Sequence, residues 1–153
     1  MHSKLLAGAL IVLAMQGVQA ADTPMKEEAL LLPSAEIQWK DAPKLGKGAK
    51  MAVLEGKLDQ AEPFTFRAKL PPRLQIAPHT HPLWERVTVL SGTFHFGLGD
   101  KFDRTKARAY PVGSLLVIPP GQSMFAFAGT RGATIQVHGT GPWGIDYLEP
   151  GDK

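Results

Sequence analysis

Pro78-His79-Thr80-His81-Pro82-Leu83-Trp84-Glu85 is the stretch on which the reading of this chain turns. In an extended chain, side chains two apart face the same way, so His79 and His81 point together. Pro82 supports this, because the residue before a proline is biased toward extended backbone. Glu85 follows after a short bend and opens the next apolar run. If that run pairs beside the first, its carboxylate converges on the two imidazoles. Two imidazoles and a carboxylate can hold a divalent first-row metal and leave other coordination positions open. Taken alone, the His-x-His pair is equally consistent with two surface histidines in a turn.

The sequence on either side reads as strand. Apolar or alternating runs recur at Glu36–Lys40, Met51–Glu55, Phe64–Leu70, Leu74–Ala77, Trp84–Leu90, Thr93–Leu98, Ser114–Ile118, Met124–Ala128, Ala133–His138 and Ile145–Leu148. Many short strands separated by Gly and Pro predict an all-β sandwich or barrel. Leu70-Pro71-Pro72-Arg73 and Ile118-Pro119-Pro120-Gly121 fix φ and stop ladder hydrogen bonding. Ser91-Gly92 and Gly97-Leu98-Gly99-Asp100 read as turns, and Lys101–Arg108 as a solvated hairpin loop. No stretch after residue 35 holds a helical period for three turns.

Composition narrows the chemistry. The 153 residues suit one domain, and 44% hydrophobic with 20% charged residues describes an ordinary globular chain. Cysteine is absent, which excludes disulfides, thiol catalysis and Cys-ligated zinc or iron–sulfur centres. Asparagine is absent as well, so there is no N-glycosylation acceptor. The net charge is only +3. The densest basic stretch, Lys44, Lys47 and Lys50, has no interleaved aromatic residues, so no nucleic-acid partner is expected. Lys4, the apolar run Leu5–Val18 and the small-x-small Val18-Gln19-Ala20 form the pattern of a cleaved signal peptide at residues 1–20. The expected organisation is then an N-terminal arm at 21–35, weakly helical over Met25–Leu32, and one barrel domain at 36–153. Export to the periplasm or the medium follows, with no membrane partner after cleavage.

The spacing His79-x-His81-x3-Glu85-x6-Gly92 resembles the first motif of the cupin superfamily. The second motif resembles Gly113, then Pro119 after five residues, then Pro120-Gly121. The resemblance covers roughly residues 36–149. It implies a cupin-type double-stranded β-helix, a small jelly-roll barrel that is often dimeric. A more local likeness is to small exported cupins with segments matching Val89–Phe94, Gly99–Asp103 and Gln136–Gly139. The implied metal ligands are His79, His81 and Glu85, and the implied cofactor is a divalent transition metal: Fe, Mn, Zn or Ni.

The match departs from the family at three positions. Arg73 stands where the first motif usually opens with glycine. Met124 stands where the second motif supplies its metal-binding histidine, and Ala128 replaces a small amide residue four further on. Three arrangements answer the missing histidine. The metal can keep three protein ligands with water in the remaining positions. His138 can act as a ligand or orient the site, if the polar face of Ala133–His138, which carries Thr134, Gln136 and His138, looks into the barrel; His95 is a weaker candidate for that role. Met124 itself can offer a thioether, which suits Cu(I). Met124, Gln136 and Trp84 are the candidate pocket residues, with barrel packing as the plain role for Met124 and the outer strand face for Trp84.

Other signals are weaker. Gly139-Thr140-Gly141-Pro142-Trp143-Gly144 has the Gly-x-Gly-x-x-Gly spacing, but Pro142 interrupts it and no helix follows, so a strand-to-strand turn is expected in place of a dinucleotide site. Neither a phosphate-binding P-loop nor a Gly-x-Ser-x-Gly elbow occurs. Two functions remain open. One is an exported metal cupin binding or acting on a small molecule, as an oxygenase, isomerase or lyase. The other is a metal-free module with a degenerate site, binding a small organic ligand or dimerising through a strand edge.

Overall fold

The structure is a computed structural model, and it describes residues 28–148. The signal-peptide reading of 1–20 and residues 21–27 of the expected arm lie outside the described residues. By Cα packing the chain divides after Leu31 into Met1–Leu31 and Leu32–Lys153. In the first unit Glu28–Leu31 carries no helix, so the described part of the expected helical stretch is instead irregular.

The second unit holds nine strands among the described residues: β1 (Lys40–Asp41), β2 (Lys50–Glu55), β3 (Pro63–Leu70), β4 (Gln75–Thr80), β5 (Glu85–Leu98), β6 (Arg108–Pro111), β7 (Leu115–Ile118), β8 (Met124–Thr140) and β9 (Asp146–Tyr147). All pairings are antiparallel. β5 and β8 are the organising elements. The first part of β5 and the last part of β8 pair with each other and are flanked by β7 and by β3-β2-β1. The remaining parts pair with each other again, flanked by β6 and by β4-β9. Both long strands thus pass from one sheet into the other, which rolls the sheets into the expected all-β double-stranded β-helix.

The bend has a steric basis. The β5–β8 register shifts between Val89 and Ser91 and again between Gly92 and Phe94. Gly92 takes φ +69 there, and a Cβ on it would lie 2.1 Å from the Gly132 carbonyl oxygen. Only glycine fits so close a backbone approach at positive φ. The sequence signal at Ser91-Gly92, read as a turn between two strands, is instead a bulge inside one. Two boundaries also differ from expectation. The strand expected at Glu36–Lys40 is a 3-10 turn at Ser34–Glu36 followed by extended chain, with only Lys40–Asp41 paired. Arg108–Pro111 is a strand, where Arg108 had been placed in the loop. The rest of that loop is not wholly solvated, because the Phe102 ring packs 5.1 Å from Phe125.

Alternation builds the core. Phe66, Val137, Val87 and Leu116 are mutual register partners across four strands, and all are buried. Burying side chains of this size stabilises the fold by roughly 1.5–3 kcal/mol each. The same register puts Thr65, Arg67, Arg86, Thr88, Gln136 and His138 on the opposite, outward face. β8 breaks the alternation at its start, where Met124–Ala128 is buried on both faces. Met124 and Ala126 face the interior, while Phe125 and Phe127 are covered from outside by Phe102.

Candidate functional site

His79 and His81 sit at and just beyond the end of β4, and Glu85 begins β5. All three are buried, at 5%, 3% and 5% exposure. They line one end of a cavity of about 40 Å³ inside the barrel, whose remaining walls are apolar, among them Leu45, Met124, Trp143 and Ile145. That volume accommodates an ion or one or two waters.

The protonation geometry follows from the hydrogen bonds. His79 Nδ1 lies 2.7 Å from the Ala77 carbonyl oxygen, and His81 Nδ1 contacts the Gly144 carbonyl. A carbonyl can only accept, so each Nδ1 carries a hydrogen and each neutral ring keeps its lone pair on Nε2. Backbone carbonyls therefore fix both tautomers, as the outer partners of ligating histidines do. Burial pushes the His79 pKa down to about 4, outweighing the opposing Ala77 hydrogen bond, so this ring is neutral at pH 7. His81 Nε2 stands 3.3 Å from Glu85 Oε2, and Trp143 donates its indole N–H to Glu85 Oε1 at 3.0 Å. Burial raises the Glu85 pKa, with His81 and the Trp143 hydrogen bond pulling the other way. With Nδ1 already donating, the His81–Glu85 contact needs one shared proton, held either on the carboxyl or on the ring.

Pro119-Pro120-Gly121 secures this arrangement from the second-motif side, where Gly121 N–H donates to the His81 carbonyl at 2.9 Å. Met124 lies directly across from His79 in the β4–β8 register, only 1% exposed, with its side chain on the cavity.

The structure separates the other sequence candidates from this site. His138 does not reach the cavity, and neither does Gln136. The apolar side of Ala133–His138 won the interior, Ile135 and Val137 line the cavity, and Gln136 instead accepts a hydrogen bond from Arg67 Nε at 2.9 Å on the outer face. Trp84 is 50% exposed and does not line the cavity either. His95 lies on the outer side of its sheet, stacked on Phe127 at 4.3 Å. Trp143 is the residue that sequence reasoning missed. Its ring stacks on His81 at 5.5 Å and meets Phe66 edge-on at 4.8 Å. The glycine-rich turn at 139–144 supplies both this indole and the Gly144 carbonyl. A tryptophan enclosed by Pro142 and Gly144 near a late strand was the available signal.

Among the described residues, no three His, Cys, Asp or Glu side chains stand in a geometry that holds a metal ion. The donor chemistry nevertheless fits one: two tautomer-fixed imidazoles and a carboxylate. A metal would replace the proton shared by His81 and Glu85.

The architecture has clear counterparts among solved structures. The polyketide cyclase RemF from Streptomyces resistomycificus superposes with a TM-score of 0.68 at 16% identity, covering 82% of this chain and 89% of that one. An RmlC-like cupin from Shewanella frigidimarina gives a TM-score of 0.58 at 18% identity, covering 76% and 96%. This is a cupin fold. A double-stranded β-helix protein from Klebsiella pneumoniae agrees, with a TM-score of 0.58 at 20% identity over 80% of this chain and 99% of that one. No protein-family model and no curated protein matches the sequence. Solved structures superposing on this chain include enzymes, the polyketide cyclase and an oxalate oxidase among them.

Proposed function

We propose that this chain is an exported, small-molecule-binding cupin that holds a divalent transition metal through His79, His81 and Glu85. The observation that carries this reading is the pair of Nδ1–carbonyl hydrogen bonds, which leaves both Nε2 lone pairs as the available donors. Iron, manganese, zinc and nickel all suit two imidazoles and a carboxylate. Bound there, the metal would supply Lewis-acid or dioxygen chemistry. The protein's own part is to hold Glu85 with the Trp143 indole and to exclude bulk water with an apolar wall. Met124, facing His79, leaves the metal with three protein ligands. His138 faces outward and takes no part.

The test is elemental mass spectrometry on protein expressed as the full 153-residue chain in a bacterial host and purified without chelator. About one equivalent of transition metal, lost in a His79→Ala/His81→Ala variant, is the expected result. No metal after reconstitution with Fe(II), Mn(II), Zn(II), Ni(II) and Cu(I) would overturn it. Intact mass and cell fractionation on the same material test export: loss of residues 1–20 and recovery from the periplasm are expected.

The His81–Glu85 contact favours a second reading, a metal-free module in which the buried pair is a shared-proton acid–base couple. In that reading β7, which among the described residues pairs only with β5 and exposes Leu115 and Val117, offers an edge for a homodimer.

A further inference from the structure

We propose a second binding site on this protein, an open cleft outside the barrel that takes a small, flat apolar molecule carrying one carboxylate. This rests on the small-molecule-binding reading above but not on its metal.

The cleft has a volume of about 570 Å³, against about 40 Å³ for the inner cavity. The first falls in the ordinary range for ligand sites, and the second is too small for an organic molecule. The apolar lining of the cleft comes from Leu45, Met51, Trp143 and Ile145. Its charged lining comes from β1 and from the 3-10 turn Pro43–Leu45, which contribute Lys40 and Lys44. Lys40 is the register partner of Met51, which puts the ammonium stem and the thioether on one side of the β1–β2 ribbon. The Tyr147 hydroxyl, donating to the Lys44 carbonyl, ties the 3-10 turn to β9.

Charge decides the ligand. Asp41 also lines the cleft, but its carboxylate is taken by Lys50 Nζ at 3.1 Å. Among the described residues, no carboxylate lies within ion-pair distance of Lys40 or Lys44. The cleft therefore presents two uncompensated ammonium groups beside an apolar surface that includes an indole. A planar hydrophobic body with a single anionic group matches both. Leu45, Trp143 and Ile145 also line the inner cavity, so they form the wall between the two spaces. A molecule in the cleft would touch the same Trp143 that hydrogen-bonds Glu85.

Isothermal titration calorimetry of the full chain with 2-naphthoate, and with the neutral 2-naphthalenemethanol, tests this. Naphthoate should bind, and a Lys40→Ala/Lys44→Ala variant should bind it about tenfold more weakly, the scale of two partly exposed charge contacts. The alcohol should bind more weakly than naphthoate and be indifferent to the lysine substitutions. Both lysines are exposed, so the variant should fold, with an unchanged thermal melt as the check. Naphthoate binding should survive chelator treatment, with metal content read separately by elemental mass spectrometry. Absence of binding at millimolar naphthoate, or equal affinity in the lysine variant, would overturn the site. So would loss of binding on chelation, which would put the carboxylate on a metal. A metal-free protein that still binds naphthoate through its lysines would fail the metal reading and leave the cleft standing.

Discussion

The histidines inside the barrel and the histidine on its flank make an instructive pair. His79 and His81 each have Nδ1 tied to a backbone carbonyl. His95 is also packed among aromatics, stacked 4.3 Å from Phe127 with interplanar angle 7°, and Arg104 lies 4.4 Å from the same ring. Yet the buried His95 Nδ1 has no hydrogen-bond partner. Packing is common to both places. What differs is a fixed tautomer: both interior rings have Nδ1 held by a backbone carbonyl and Nε2 turned to the cavity, where that of His81 meets Glu85, whereas the flanking ring serves as a flat surface. Backbone anchoring, more than burial, separates the two interior histidines from His95.

The largest effect is expected at Glu85. Glu85→Ala leaves His81 Nε2 and the Trp143 N–H buried without their partner. It should cost about 3–4 kcal/mol in urea unfolding of the chelator-treated protein. A loss under about 1 kcal/mol would show that the interior pair is no more coupled than the flank.

A somewhat smaller effect is expected from pH. Burial pushes the His79 pKa down to about 4 in the folded chain, below the ordinary imidazole value of 6.5. Between these values the unfolded chain binds the extra proton, so this contribution to stability is complete above pH 6.5 and is lost as pH falls toward 4. The raised Glu85 works in the opposite direction, favouring the fold below the carboxyl's ordinary range and losing its contribution as pH rises. Comparing the metal-free chain with His79→Gln isolates the first effect. Their stability difference should shift by roughly 3 kcal/mol across pH 4 to 6.5, read by denaturation at each pH. A parallel pair of curves would contradict the burial argument.

The smallest effect belongs to the flank. His95→Phe keeps a flat ring against Phe127 and removes the orphaned nitrogen. It should leave stability unchanged or raise it by about 1 kcal/mol, seen as a small upward shift of the thermal midpoint. A destabilisation would mean that His95 Nδ1 has a partner in solution.

Much of this was legible in the sequence. Phe64, Phe66, Ala68 and Leu70 alternate with polar residues, and all four are buried as that alternation requires. The His79-x-His81 spacing and the later Glu85 were enough to place three side chains at one cavity. Other features were hidden for physical reasons. Alternation divides Ala133–His138 into two faces but does not say which looks inward. The interior went to Ile135 and Val137, because an apolar face against Phe66, Ala68, Val87 and Val89 buries more hydrocarbon than the face bearing Gln136 and His138. Gly92 reads as a chain reversal because glycine signals positive φ without saying whether the strand stops or bends. Arg108–Pro111 has too few apolar residues to announce an edge strand. Trp143 reached Glu85 across 58 residues, a distance over which local pattern is silent.

The passage of β5 and β8 through both sheets also governs how the chain is assembled in time. Each sheet includes a part of β5 and a part of β8, so neither is closed without strands that it shares with the other. The pairing of β3 with the end of β8 joins Leu70 to Ala133 and Pro63 to Thr140. Such distant segments must meet before their contacts repay the ordering of the chain between them. Folding on the millisecond-to-second scale of non-local β topologies is the natural pace for this barrel. The contacts that complete the interior, from the Trp143 turn to His81 and Glu85, are among those joining segments far apart in the chain.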